Sequence, residues 1–532
     1  MLVRLLPYVL FVALGIQQFS QQKFDLRAKD GQNYVTSVKS QQGGTCWTHG
    51  ALAAIESNLL ISGKWAELGI AGEADLAEYH LDWWCGFNQH NNDDLSPVTG
   101  DGLTVHNGGD YMVTSAYISR GEGPIKELEM DPYSSAPERR SAIYKYFYVR
   151  DIEWYDVQEN FNNIYAIKQA LKTHGAIGTC MCYSADFIVD FIHYQPNTSL
   201  LEPNHAIAIV GWDDTIVTPG KYPGAWICKN SWGPTWGLDG YFWISYYDKY
   251  SIRHPEMGAV SFQNTEELHY ANVYYHDYHG WRDTFQGVSK AFNKFIGVSN
   301  EVLSSVSFYT TADNSNCNVE IYDEFINGDL SGLLTSQQTF ISKKGFHTID
   351  LNNVQELSEG DDFYISVEFS SGGHAYDRTS EIPVLLGVDS PEFTSVTSTS
   401  SPDQSYYFQD GIWKDMYDYD HSANFCIKGL TTVATNLGED SYELPNGFLL
   451  KQNYPNPFNP ATNIIFILPE KSFVKLEVFD ILGNKITTLV EDELSSGKYS
   501  TAFNGEGISA GIYIYRFTTR NFTIAKKMIL VK

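Results

Sequence analysis

The most reactive residue type in the sequence stands in the segment 41–47, which reads QQGGTCW. Two glycines allow a tight backbone turn before Cys46, and the apolar spacing after it predicts a helix over 48–60. A thiol in the first turn of a helix lies near the positive end of the helix dipole, which favours the thiolate. The side-chain amide of Gln41 or Gln42 and the N–H of Cys46 could together bind an oxyanion. Taken alone, such a cysteine is also typical of a buried structural residue.

A histidine and an asparagine far downstream are the partners that a nucleophilic thiol needs. His205 precedes the apolar run AIAIV at 206–210, which predicts a buried strand, so the imidazole is expected at the end of a rigid element. Asn230 lies in the run NSWG and can accept the imidazole N–H, which fixes the tautomer that faces the thiol. Trp232 would shield that hydrogen bond from water. Individually, these residues also fit a core histidine and a turn.

Composition and periodicity divide the chain into five regions. Residues 1–20 have the charge and the short apolar run of a signal peptide, although a buried N-terminal element would look similar. Residues 21–262 mix helical and strand patterns. Residues 265–432 carry short alternating runs between polar clusters, which is typical of an antiparallel sandwich. Residues 433–446 are predicted to be a linker, and residues 447–532 a small all-β module.

The order Cys46, His205, Asn230 along the chain is that expected of a Cys-His-Asn peptidase. With these residues, the region 21–262 resembles the papain family of cysteine peptidases, and NSWG followed by WG at 236–237 is close to a signature of that family. The resemblance implies that Cys46 attacks the peptide carbonyl, that His205 is its base, and that Asn230 orients the base. It also implies that the ring of Trp232 covers the contact between His205 and Asn230.

The resemblance also implies which residues contact the peptide. Gln41 would complete the oxyanion hole with the N–H of Cys46. The segment before Cys46 is one residue shorter than usual in the family, so Gln42 remains an alternative to Gln41. The loop NGG at 107–109 resembles the loop whose glycine backbone pairs with bound peptide, which makes Gly108 and Gly109 candidate substrate-binding residues.

Several positions depart from the family pattern. Gly43 stands about where the family usually has a disulfide cysteine, so that bridge is expected to be absent. His49 could titrate near the site, but a packing role in the helix is the favoured interpretation. Few residues separate the predicted signal peptide from Gln41, so no inhibitory pro-segment is expected and any latency must arise elsewhere. The inserted stretch Asn88–Thr104 is a candidate occluding loop, which would favour an exopeptidase.

The middle region, 265–432, resembles the lectin-like domain attached to some bacterial secreted papain-type peptidases. The resemblance rests on YYHD at 274–277, NCNVEIY at 316–322 and YFQDGIW at 407–413. Exposed Tyr and Trp rings could stack on sugars. The alternative is a sandwich whose aromatic residues form its core.

The last region, 447–532, resembles the sorting domain of cargo for bacterial type IX secretion. The matching residues are NYPNPFNP at 453–460, VFDILG at 478–483, GIY at 511–513 and KKMIL at 526–530. The resemblance implies the type IX machinery as a partner and a final location in the medium or on the bacterial cell surface.

Charge and cysteine usage exclude other classes. The formal net charge of −28 opposes binding to nucleic acid. Seven cysteines leave at least one free thiol and are too few for a disulfide-dependent scaffold of 532 residues. No cysteine or histidine pairs have the spacing of a zinc site, so no metal and no cofactor is expected.

The sequence therefore predicts a multidomain protein, an α+β papain-like peptidase fold followed by two all-β sandwich domains. The predicted function is that of a secreted cysteine peptidase, an endopeptidase that acts on extracellular proteins. The competing hypothesis is a catalytically idle surface adhesin that binds glycans or peptides.

Overall fold

The structure is a computed structural model of the whole chain. It describes residues 21–95, 101–128, 133–157, 163–382, 386–388, 394–433, 449–450, 453, 456, 458–469, 471–481, 483–495, 497–520 and 522–531. The predicted signal peptide, 1–20, and nearly all of the predicted linker, 433–446, lie outside these residues. The chain forms two compact units, 1–434 and 435–532.

The first part of the larger unit contains helices and strands, as the mixed periodicities predict. Its helices are α1 Cys46–Ile61, α2 Lys64–Glu67, α3 Glu78–Trp84, α4 Tyr111–Ser119 and α5 Ile164–His174, with 3₁₀ turns at Leu26–Ala28 and Ala185–Phe187. Its strands are β1 Lys23–Asp25, β2 Phe147–Tyr155, β3 Ile177–Met181, β4 Ile188–Val189, β5 Ile192–His193, β6 His205–Asp213, β7 Ala225–Lys229, β8 Tyr241–Ser245 and β9 Ala259–Glu267.

Two elements position the predicted chemistry. Helix α1 is buried along almost its whole length, and small residues such as Ala51 and Ala54 let it pack closely on strands β6 and β9. Strand β6 is buried at every position and pairs with β3 on one side and β7 on the other. The predicted helix at 48–60 and strand at 206–210 are therefore both present, and each begins at a candidate catalytic residue.

The second part of the larger unit is almost entirely β. Its strands are β10 Asn272–Tyr274, β11 Asp283–Phe285, β12 Lys290–Ile296, β13 Glu301–Thr310, β14 Ser315–Ile326, β15 Asp329–Ile341, β16 Gly345–Leu357, β17 Asp362–Phe369, β18 His374–Asp377, β19 Ser380–Glu381, β20 Ser395–Val396, β21 Ser405–Gln409, β22 Ile412–Asp415, β23 Asn424–Phe425 and β24 Ile427–Val433. One short helix, α6, spans Met416–Tyr419.

These strands form a sandwich that shares a sheet with the first part. One sheet has the order β15-β14-β17-β12-β21-β22. The other contains β10, β24, β13 and β16, and continues into the first part because β16 pairs with β2. The pairing of Gly345 with Glu153 and of His347 with Asp151 makes one continuous sheet of sixteen strands. The sandwich is thus fused to the first part through backbone hydrogen bonds.

Several aromatic residues considered as sugar contacts lie in the sandwich core. Tyr274 and Tyr407 are buried in its apolar cluster, and Trp413 packs edge-on against Phe292. Asp277 is fully buried and forms an ion pair with Lys428. Tyr274 and Tyr407 therefore fit the core interpretation, whereas Trp413 is half-buried and Phe408 is 41% exposed.

The smaller unit is all-β, as predicted. Its strands are β25 Leu449–Leu450, β26 Ala461–Leu468, β27 Ser472–Asp480, β28 Lys485–Leu494, β29 Gly497–Asn504, β30 Gly511–Thr518 and β31 Thr523–Leu530. They form a three-stranded sheet, β25-β26-β29, and a four-stranded sheet, β28-β27-β30-β31. The two share an apolar core that includes Phe466, Val478 and Tyr515.

Across the described residues, no helix has both the length and the apolar character needed to cross a membrane. All seven cysteines are buried and free.

Candidate active site

Cys46 is the first residue of α1, and its side chain is completely buried. The turn before it is held in place by the loop at 106–108, because the N–H of Gly44 donates to the carbonyl of His106 at 2.7 Å. The sulfur accepts a hydrogen bond at 3.4 Å from the backbone N–H of Ala206, the residue after His205. The helix start and the strand start therefore meet at the thiol.

His205 and Asn230 are joined directly. The distance between His205 Nε2 and Asn230 Oδ1 is 2.8 Å, and the same oxygen accepts the backbone N–H of Ser231 at 2.8 Å. The contact with the N–H of Ser231 identifies this atom as the amide oxygen, which can only accept. The imidazole is therefore the donor, so the proton lies on Nε2 and Nδ1 keeps its lone pair. Trp232 stacks on His205, with ring centroids 4.5 Å apart. The geometry fixes the tautomer that a general base requires.

Burial dominates the electrostatics of the pair. It raises the pKa of the Cys46 thiol to about 12 and lowers the pKa of the His205 imidazole to about 4. In this closed arrangement the loss of hydration opposes ionisation of both groups, which is opposite in direction to the effect expected of the helix dipole on the thiol pKa.

The structure distinguishes the two glutamines before the cysteine. Gln41 is half-buried, and its Oε1 accepts a hydrogen bond from the hydroxyl of Ser231 at 2.6 Å. Its Nε2 donates to the carbonyl of Gly43 at 3.0 Å, which leaves the second N–H of the amide for another acceptor. Gln42 is exposed, and its backbone N–H donates to the hydroxyl of Tyr79. Gln41 is thus the one held beside Asn230.

The two glycines of the loop at 107–109 have different roles. Gly108 has φ +93° and donates its N–H to the carbonyl of Gly44 at 3.2 Å, so it braces the turn before the cysteine. A Cβ on Gly109 would lie 2.5 Å from the Trp47 ring, so only glycine fits there. The N–H and C=O of Gly109 both hydrogen-bond to Leu386 of the sandwich.

The chain matches three known family models. Residues 20–259 match the papain family of cysteine proteases, residues 273–431 match a lectin-like domain, and residues 452–532 match a secretion system C-terminal sorting domain. We call the region that matches the first of these models the papain-family domain. The sorting domain identifies the protein as secreted or held at the cell surface.

Curated relatives of the papain-family domain are animal cathepsins. The chain is 29% identical to procathepsin L of Rattus norvegicus over 217 residues, which are 40% of this chain and 57% of the relative. It is 26% identical to cathepsin O of Homo sapiens over 226 residues, which are 41% of this chain and 59% of the relative. The chain therefore spans less than two thirds of either relative.

A solved structure shares the fold of the larger unit. It contains the cysteine protease and lectin-like domains of Cwp84, a surface layer associated protein of Clostridium difficile. The TM-score is 0.59 at 20% identity, and the match covers 78% of this chain and 90% of that one. A papain-like domain followed by a lectin-like domain is therefore a known architecture.

His49 behaves as a packing residue of the papain-family domain. It is buried, its Nδ1 lies 2.9 Å from the carbonyl of Thr45, and burial lowers its pKa to about 4. This agrees with the favoured prediction for this residue.

The candidate occluding loop, Asn88–Thr104, contacts the lectin-like domain. The side chain of Asn92 donates to the carbonyl of Thr397 at 3.0 Å, and the hydroxyl of Thr399 donates to the carbonyl of Asp94 at 2.8 Å. Residues 96–100 lie outside the described part of the chain, so the occluding role stays a prediction.

Sequence reasoning missed a buried ionic group beside the site, which we call the Lys39 cluster. The Lys39 ammonium lies 3.1 Å from Glu56 and 2.7 Å from Glu78, and it donates to the carbonyl of Leu76 at 3.0 Å. The cluster consists of Lys39, Glu56, Asp75, Glu78, Glu127 and Lys229. No local pattern marks it, because its partners are distant in sequence.

Proposed function

We propose that the protein is a cysteine peptidase that hydrolyses peptide bonds of extracellular proteins, with Cys46, His205 and Asn230 as the catalytic residues. The observation that carries the proposal is the 2.8 Å contact between His205 Nε2 and Asn230 Oδ1 at a strand end that also binds the Cys46 sulfur. This arrangement leaves Nδ1 of His205 free to take the thiol proton. The match to the papain family and the cathepsin relatives supports the same reaction.

In the proposed reaction, His205 removes the thiol proton as the Cys46 sulfur attacks the substrate carbonyl carbon. The C–S bond forms, and the carbonyl oxygen becomes an oxyanion that the N–H of Cys46 and the free N–H of Gln41 can bind. The C–N bond then breaks, and His205 gives its proton to the leaving amine. Water attacks the acyl-enzyme with His205 as base, which releases the acid and restores the thiol. No cofactor takes part in this scheme.

Asn230 and Trp232 act on the base. Asn230 holds His205 in the orientation and tautomer described above, and Trp232 keeps water from that hydrogen bond. The N–H and C=O of Gly109, which here hydrogen-bond to Leu386, are the backbone groups that an extended peptide would use, in the manner of an added strand. Gly108 contributes by holding the turn before Cys46 in place.

The test is hydrolysis of a fluorogenic peptide library by the full chain under reducing conditions, beside Cys46→Ala and Cys228→Ala. Cys228 is a matched control because it is equally buried and has no place in the proposed reaction. We expect activity in the native chain and in Cys228→Ala, and none in Cys46→Ala. Activity that survives in Cys46→Ala would contradict the proposal. Inactivity of every folded variant that keeps Cys46, His205 and Asn230 would also contradict it.

We further propose that the domains divide as 21–262, 265–432 and 447–532, with export through a type IX secretion system that reads the last of these. The family matches at 273–431 and 452–532 support this division. Deletion of 447–532 should leave the protein inside the cell envelope while the complete chain reaches the medium or the cell surface. Equal export of both forms would contradict the sorting role.

Binding of glycans by the lectin-like domain is the second candidate function, supported by the family match at 273–431. Since Tyr274 and Tyr407 are buried, a sugar site would have to use other residues of the domain. A glycan array probed with the full-length Cys46→Ala chain tests this function separately from catalysis. Glycan binding, together with a native chain that does not hydrolyse peptides, would favour the adhesin hypothesis.

A further inference from the structure

A short piece of the lectin-like domain lies on the peptide-binding edge of the papain-family domain. Leu386 pairs with Gly109 as an antiparallel bridge, since its N–H donates to the Gly109 carbonyl at 3.0 Å and its carbonyl accepts the Gly109 N–H at 3.3 Å. The next N–H, that of Gly387, donates to the carbonyl of Asn204 at 2.8 Å. All three donors and all three acceptors are backbone groups, so the contacts are those that any extended peptide could make.

The segment passes between the residues that flank the candidate catalytic pair. Asn204 immediately precedes His205, and Gly387 lies so close to Gly44 that a Cβ on Gly387 would be 2.3 Å from the Gly44 carbonyl oxygen. The chain therefore runs from Gly109 toward the thiol, with its C-terminal side leading. A peptide bound this way presents the carbonyl that follows Leu386 and Gly387 toward the nucleophile.

Burial shows that the segment closes the cleft. Leu386 is completely buried and belongs to the apolar core of the papain-family domain, and Val388 packs against the same core. Cys46 is also completely buried, and only 4% of His205 is exposed. A peptide substrate cannot reach the thiol while these residues stay where they are.

We propose that Leu386–Val388 is an internal pseudosubstrate, a piece of the protein's own lectin-like domain that occupies the peptide cleft and must leave before another peptide can bind. The expected effect on activity rests on the proposed peptidase function, whereas the occupation of the cleft by Leu386–Val388 does not depend on it.

Gly387 explains why the segment can occupy the cleft without being an ordinary substrate. Its φ of +101° lies in the region that favours glycine, and the close approach of the Gly44 carbonyl excludes a side chain. The backbone turns there instead of continuing as a strand. A substrate with a side chain at this position has to bind in a different, extended conformation.

The proposal is tested in the full chain by Gly387→Ala, with Gly360→Ala as the matched control. Both glycines have positive φ, but a Cβ on Gly360 meets nothing within 4 Å, so the control introduces backbone strain without a clash. The first readout is the rate at which iodoacetamide alkylates Cys46, measured by peptide mass spectrometry. Cys228, which is completely buried, reports general unfolding in the same sample.

We expect Gly387→Ala to speed alkylation of Cys46 at least tenfold while Cys228 stays unmodified and Gly360→Ala matches the native chain. Hydrolysis of a peptide with leucine two positions before the cleaved bond should rise by a similar factor. Equal alkylation of Cys46 in all three folded chains would overturn the proposal. If Gly387→Ala unfolds, the same rates are read in Leu386→Asp, which places a carboxylate in the apolar core without straining the backbone.

The two readouts separate the two proposals. Faster alkylation without any hydrolysis would establish the pseudosubstrate and contradict the peptidase function. Hydrolysis by the native chain as fast as by Gly387→Ala and Leu386→Asp, with unchanged alkylation, would support the peptidase function and overturn the pseudosubstrate.

Discussion

Two groups of buried polar side chains lie next to each other in the papain-family domain, and they are bonded in opposite ways. Helix α1 carries Cys46 at its first residue and Glu56 further along, and Lys229 at the end of β7 precedes Asn230. The candidate active site and the Lys39 cluster therefore share the same helix and the same strand end. The active-site side chains are the more completely buried, since His205 is 4% exposed whereas the side chains of Lys39 and Asp75 are 18% and 37% exposed. The two groups also differ in their hydrogen bonds and charges.

The active site contains an unused donor, the buried Nδ2 of Asn230, which has no hydrogen-bond partner. In the Lys39 cluster Oδ1 of Asp75 also lacks a hydrogen bond, but it forms an ion pair with Lys39. In the cluster, Glu56 is bonded to Lys39, to the hydroxyl of Thr36 and to the N–H of Leu76. A polar group that has an unused hydrogen-bonding position near a reactive residue can transfer a proton or bind a ligand. Charged groups whose positions are all occupied stabilise the fold instead. The comparison predicts that changes in the site alter activity and changes in the cluster alter stability.

The largest effect is expected for His205→Ala. Loss of the base should lower kcat/KM by about 10⁴-fold or more, since removal of one member of such a catalytic group costs nearly as much as removal of all. The free energy of unfolding should fall by about 1–3 kcal/mol, because the variant loses the hydrogen bond to Asn230 and the stacking of a buried ring on Trp232. Urea unfolding and peptide hydrolysis on the same sample measure both.

The control for that variant is His80→Ala. His80 is buried too, but one ring nitrogen contacts the hydroxyl of Tyr117 at 2.7 Å and the other the carbonyl of Arg139 at 3.0 Å. It should lose stability and keep its activity per folded molecule. If His205→Ala proved as destabilising as His80→Ala, the contrast between spare and saturated groups would fail.

The next largest effect is expected for Glu56→Ala in the Lys39 cluster. Removal of one partner leaves Lys39 and Lys229 with less negative charge around them, which typically costs about 3–5 kcal/mol for a buried pair. The exposed Glu359→Ala should change stability by about 0.5 kcal/mol at most. Chemical denaturation compares the two, and a loss below about 1 kcal/mol in Glu56→Ala would show that the cluster is not a stabilising frame.

A smaller effect on activity is expected for Asn230→Ala. His205 would lose its orienting partner, and kcat/KM should fall about 10²-fold, within the range typical of a proton-transfer contribution. The matched control is Asn58→Ala on α1, because the Asn58 side chain is bonded at both ends, to the carbonyl of His174 and the N–H of Thr265. Asn58→Ala should lose stability with its activity intact. The reverse pattern in this pair would contradict the proposed role of Asn230.

The active-site residues can be predicted from the sequence because each lies at the start of a helix or strand or in a recognisable motif. Cys46 begins a periodic helix, His205 begins an apolar strand, and Asn230 lies in a distinctive run. The strands of the sandwich are likewise predicted by the alternation of apolar and polar residues. Each of these signals is local, extending over a few residues.

The rest depends on contacts between distant residues, which periodicity does not encode. Lys39 contacts Glu56 and Glu78 only because the fold brings a loop, α1 and the start of α3 together. The pairing of Leu386 with Gly109 likewise joins two domains. The fusion of both domains into one sheet through β2 and β16 has the same origin, since neither strand shows its partner.

A last test of the Lys39 cluster is the pH dependence of stability through Glu127. Burial and the neighbouring Glu78 raise the pKa of Glu127 to about 9, above its value in the unfolded chain. The native state therefore keeps a proton that the unfolded state has lost. The resulting stability is complete below about pH 4.5, where both states are protonated, and is lost as the pH rises toward 9.

Glu127→Gln removes this titration while keeping the shape of the side chain. Urea unfolding of the native chain and of Glu127→Gln should agree at pH 5, and the variant should be the more stable of the two at pH 9. Identical pH profiles would mean that Glu127 has the same pKa in the folded and the unfolded chain, so that it is ionised in the native state at neutral pH. The Lys39 cluster would then contain more carboxylates than its two lysines can neutralise. The contrast between a stabilising cluster and a reactive site would rest on the variants of His205 and Asn230.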